Sequence, residues 1–124
     1  MGYREKIRDT LVNDSAVAAI VGQQVYAMRA LQTTVPPYIL TSVASHVHEN
    51  TLEGIDETTD HARVRCDLFG PSYKQLTDLE EAVRNAIHAT PAFSAQYIFG
   101  FELYEDDTQL YHLVLDFSVW HVNL

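Results

Sequence analysis

Hydrophobic and polar residues alternate most cleanly at two places in the chain. Ala62, Val64, Cys66 and Leu68 fall on one side of an extended segment, and Arg63, Arg65, Asp67 and Phe69 on the other. Near the end, Tyr111, Leu113, Leu115, Phe117 and Val119 share one side, opposite His112, Val114, Asp116, Ser118 and Trp120. A period of two marks a strand with one buried face. Gly70-Pro71 ends the first strand, and Ser72 with Gln75 forms a capping box that opens a helix. Leu76, Leu79, Val83, Ala86 and Ile87 keep helical spacing up to Thr90, where Pro91 disfavours further helix.

The remaining segments read less sharply. Tyr3, Ile7 and Leu11 predict a helix over 3–13. Ser15 is placed to cap a second helical segment, Ala16 to Val21, closed by Gly22. Val25-Tyr26 begins an extended piece, while 27–35 has no period. After Pro36-Pro37, residues Tyr38 to Ala44 are aromatic and β-branched enough for a strand. Residues 46–61 hold five acids and no lysine or arginine, and read as a long polar connection. Tyr97 to Glu105 predicts a strand containing Gly100, with a turn at Asp106-Asp107-Thr108 and a hairpin to the last strand. The expected architecture is α+β: a mostly antiparallel sheet of about four strands with helices packed on one face. On the other face Val114, Trp120 and Val122 would leave an apolar patch.

Length and charge narrow the function. A chain of 124 residues is expected to form one domain, 1–124, with its own core. The net charge of -9 argues against a surface that grips nucleic acid. No apolar run is long enough to span a membrane, and the charged, mixed start lacks a signal-peptide core. The expected product stays in the cytoplasm. Cys66 is the sole cysteine and reads as a buried, inert thiol.

Candidate chemistry is thin. His46, His48 and His61, with Glu49, Asp56 and Asp60 between the outer two, are chemically able to hold a metal, although no recognised ligand spacing is present. A small metal-dependent enzyme on those histidines is therefore one competing reading. No nucleophile elbow or phosphate-binding glycine loop exists. Arg63 and Arg65 are expected to pair with acids of this chain or of a neighbouring subunit. No catalytic residue, cofactor or resident metal is assigned.

The order of several short strings resembles the tail-completion, or tail-terminator, proteins of long-tailed bacteriophages and gene-transfer particles. Leu11, Asp14, Val17, Ile20, Val21-Gly22 and Val25-Tyr26 are similar to that family's opening pattern. Pro37-Tyr38-Ile39-Leu40, then Val64-Arg65-Cys66-Asp67-Leu68-Phe69 with Ser72-Tyr73, and finally Asp116-Phe117-Ser118-Val119-Trp120 continue it. The resemblance implies a non-enzymatic virion protein, assembled in the host cytoplasm, that forms a ring at the head–tail joint. Its implied partners are copies of itself in a ring, typically of six, the major tail tube protein and a head-completion (stopper) protein. DNA would pass through the ring without specific binding. Arg63, Arg65, Glu49, Asp56, Asp60, Trp120 and Val122 are the candidate contact residues. A head-side adaptor or stopper is the nearest alternative.

Overall fold

The computed structural model describes residues 3–30, 34–50, 58–91 and 93–123; side chains at 3–4, 44–50, 58–60 and 121–123 are outside the description. Three helices and five strands follow one another as α1 (Tyr3–Asn13), α2 (Ser15–Val21), β1 (Val25–Ala27), β2 (Tyr38–Asn50), β3 (Thr58–Gly70), α3 (Tyr73–Ala89), β4 (Ser94–Glu105) and β5 (Leu110–Asn123). The strands form one sheet in the order β1-β2-β3-β5-β4.

The α+β expectation holds, but the sheet is larger and mixed. Five strands replace the expected four, and β1 runs parallel to β2 while the other neighbours are antiparallel. Three residues are too few to show a period, so β1, expected only as an extended piece beginning at Val25-Tyr26, has no direction or partner legible from pattern. It is fixed by hydrogen bonds instead. Ile39 N donates to Gln24 O at 2.9 Å, and Gln24 Nε2 donates to Val35 O and Pro37 O at 2.8 and 2.9 Å.

A second correction concerns 46–61. β2 runs on to Asn50 and β3 begins at Thr58, with Asn50 opposite Thr58 and Thr58 opposite Asn123. The expected acidic connection is therefore mostly ladder, and 51–57 is outside the described residues. Strand pairing is a backbone property, so a polar, acidic composition conceals it from a search for apolar alternation.

One core joins the helices to one sheet face. Ile7 and Leu11 of α1, Val17 and Val21 of α2, and Leu76, Leu79, Val83, Ala86 and Ile87 of α3 pack with Val64, Cys66, Leu68, Leu113, Leu115, Phe117 and Val119. The α3 start is as expected: Ser72 Oγ accepts from Gln75 N at 3.3 Å. Thr90 is already extended before Pro91. In α2 the cap is Asp14 rather than Ser15, its carboxylate accepting from Val17 N at 3.0 Å. Gly22 then closes α2 with a positive φ of 63°, a conformation glycine reaches without a side-chain clash. In β4, Gly100 answers to crowding: a Cβ there would stand 2.4 Å from the Tyr97 hydroxyl and 2.7 Å from the Val114 carbonyl oxygen.

Candidate functional site

The sheet face away from the helices has no covering element among the described residues, so its own side chains must satisfy it. Register sets Arg65 beside Asp116, and Arg63 beside Ser118, on β3 and β5. Arg65 Nε donates to Asp116 Oδ1 at 3.1 Å, and Arg63 Nη2 lies 3.6 Å from Asp116 Oδ2. Asp116 is 3% exposed, whereas both arginines are half-exposed. The two guanidinium groups thus roof one buried carboxylate, which answers the cost of removing that charge from water. The bond to Asp116 raises the Arg65 pKa above its usual value, against a smaller opposing effect of burial.

Around this pair lie stacked rings. Phe69 stacks on Tyr38 at 5.0 Å and on His112 at 4.1 Å. His112 Nε2 is 3.2 Å from Asp67 Oδ1, and its buried Nδ1 faces Glu105 at 3.6 Å without a hydrogen bond. His61 lies flat against Trp120, with centroids 4.6 Å apart and planes within 3°. Arg63 also sits 5.6 Å from the Phe99 ring centroid, within cation–π range.

This packing corrects the expected apolar patch. Val114 is only 2% exposed, Trp120 is half-buried under His61, and the Val122 side chain is outside the description. The exposed apolar surface lies one strand further out, on β4. Phe99, Phe101 and Leu103 are 42%, 41% and 49% exposed, and Ile98 and Tyr104 are similarly open. Pattern reading missed them because a bulge between Tyr97 and Phe99 shifts the register, breaking the period of two. The stretch Tyr97-Ile98-Phe99-Gly100-Phe101, four large apolar residues about one glycine, was the available signal.

The other candidate residues fare unevenly. Arg63, Arg65 and Trp120 meet on the open face. Glu49, Asp60, His46 and His48 are in strands, with His46 opposite Ala62 and His48 opposite Asp60, but their side chains are outside the description; Asp56 is wholly outside it. Among the described residues no group of three His, Cys, Asp or Glu is placed to hold a metal. Cys66 is fully buried, and burial first, then the charges of Asp67 and Asp116, push its thiol up to about 12. It is therefore protonated and inaccessible, the opposite of an activated nucleophile. No described helix is long and apolar enough to cross a membrane.

These features define a small mixed-sheet α+β domain whose uncovered face is closed by ion pairs and stacked rings, and whose margin shows apolar side chains. A family model described as tail completion protein gp17 matches residues 5–122, and the chain belongs to that family. Among solved structures, the fold is similar to a chain in the virion of a native gene transfer agent particle. The TM-score is 0.70 at 13% identity, over 94% of this chain and 92% of that one. A search of curated proteins finds no match. The expected resemblance to tail-completion proteins is thereby met.

Proposed function

We propose that this chain, acting as one domain, caps the head-proximal end of a phage or phage-like tail tube as a ring. The cap ends tube growth and offers the surface on which the filled head joins. The observation that carries the reading is the tail-completion family match over residues 5–122. The fold shared with a chain of a gene transfer agent virion supports it. A tube end has rotational symmetry, and a closed ring matches that symmetry while leaving nothing to extend. Six copies are the number proposed. The partners are the major tail tube protein below and a head-completion protein above. Arg63, Arg65, Trp120 and Val122, with Glu49, Asp56 and Asp60, supply contact material. The role is structural, without catalysis or cofactor, from assembly in the host cytoplasm to the finished head–tail joint. With a net charge of -9 per copy, such a ring repels phosphate and lets DNA pass without holding it.

The test is tube assembly. Major tail protein of the same particle is polymerised with and without this chain and viewed by electron microscopy. Terminal ring density and limited tube length are expected only when the chain is present. Bare tubes of unregulated length in both reactions refute the proposal, and density found only on isolated heads moves the chain to the head-side adaptor reading. Metal analysis of the purified protein tests the enzyme alternative on His46, His48 and His61.

A further inference from the structure

The two margins of the sheet differ in a way that makes them complementary. β4 is a margin twelve residues long, Ser94–Glu105, with no lysine, arginine or proline to discourage pairing. It shows Phe99, Phe101, Leu103 and Tyr104 to solvent. Residues 94–124 contain Glu102, Glu105, Asp106, Asp107 and Asp116 and no lysine or arginine. The opposite margin is short at β1, and its surroundings mix bases with the acids Glu5, Asp9 and Asp14, for a small positive balance against the wholly acidic β4 side. Four of the chain's eight lysines and arginines, Arg4, Lys6, Arg8 and Arg29, lie in its first 29 residues. There a cleft of about 330 Å³ is lined by Ile7, Ala27, Met28 and Val43, with Glu5 and Arg8 at its charged side, and Met28 is 73% exposed.

We infer that the β4 margin of one copy docks on the β1-side margin of the next, and that this head-to-tail contact builds the ring. The inference rests on the ring reading and names the surfaces that reading leaves open. Apolar side chains on β4 meet the cleft and Met28, while Glu102, Asp106 and Asp107 approach Arg8 and Arg29. Joining two β4 margins would instead set those same acids against themselves, which opposes a two-fold contact. A patch on one margin and its complement on the other produce a heterologous contact, and such contacts close into rings when the rotation permits.

Two double variants test it. Phe101→Lys with Leu103→Lys spoils the β4 margin, and Met28→Asp with Arg29→Glu spoils the other. Asp tolerates the positive φ of 69° at Met28. Circular dichroism melts confirm folding, and Leu103→Lys alone serves if the first pair does not fold. Self-association is read by sedimentation at rising concentration and by ring density on tube ends. Each variant alone should lose ring density and associate at least about tenfold more weakly than the parent. Mixed together, they retain one matched pair of margins and should form a 1:1 dimer that grows no further. Parental assembly by either variant, or no dimer in the mixture at concentrations where the parent assembles, overturns the inference while the ring reading stands. Failure of the parent itself to cap tubes removes the ring reading and this contact with it.

Discussion

The two faces of the sheet solve the same problem with different chemistry. Under the helices, Val64, Cys66, Leu68, Leu113, Leu115, Phe117 and Val119 are dry and apolar, and α3 covers them with Leu76, Leu79 and Val83. On the open face Asp116 is as buried as the core, yet it is covered by two half-exposed arginines rather than by a helix. The first arrangement is non-directional and depends on volume. The second depends on the register of β3 against β5, since a slip of one residue would carry both arginines to the wrong face. The helix face therefore supplies most of the stability, and the open face fixes strand alignment.

The largest break in that contrast is Leu79→Asp. Leu79 is fully buried beneath α3. Truncation at such a site costs roughly 2–5 kcal/mol before any charge is buried, comparable to much of a small domain's stability. The variant should show no cooperative melt; a parental midpoint would show that the helix stripe is misplaced.

Alkaline pH should act on the same face. The Cys66 thiol is raised from an ordinary 9.0 to about 12, so the unfolded chain releases its proton first. Its stabilising contribution is full below pH 9 and is lost as pH rises toward 12. The limiting slope from one such group is about 1.4 kcal/mol per pH unit. Cys66→Ala should lower the starting stability through its small cavity while flattening the alkaline decline. An unchanged slope in denaturant titrations from pH 8 upward would assign the decline to other groups.

Asp116→Ala carries the test to the open face. The lost bonds to two guanidinium groups should cost about 1–3 kcal/mol, less than a fully buried ion pair because both arginines can turn to water. The melt should stay cooperative, in contrast to Leu79→Asp. An effect as large as the core variant would mean that the open face, too, is needed for the sheet to form.

Legibility followed the same division. The helix face was read from spacing, because Leu76, Leu79 and Val83 or Leu113, Leu115 and Phe117 repeat at the period of their element. Ser72 and Pro91 bounded α3 correctly because each acts on adjacent backbone. The open face was not legible residue by residue. Nothing local marks Asp116 as buried; its environment comes from Arg63 and Arg65, some fifty residues earlier, and needs the strand register. Opposite charges at same-face positions of two clear strands were the usable hint. The partner of β1 and the far ends of β2 and β3 are set by backbone pairing, which a search for side-chain period does not report.

The smallest effects separate the two arginines. Arg65 makes a hydrogen bond to Asp116 at 3.1 Å, whereas Arg63 reaches it only as an ion pair at 3.6 Å and also lies over Phe99. Arg65→Gln should therefore destabilise more than Arg63→Gln, each by less than about 1 kcal/mol because the cations are half-exposed. Double-mutant cycles with Asp116→Ala isolate each pairing. The Arg65 coupling should be the larger and should survive added salt better, since a directed bond to a buried oxygen is screened less than a looser contact. Between pH 5 and 9 the Arg65 contribution should be flat. Its raised pKa keeps that contribution full below the ordinary arginine value and loses it only at higher pH. Equal couplings for the two arginines would mean that the buried charge of Asp116, and not bond geometry, governs the open face.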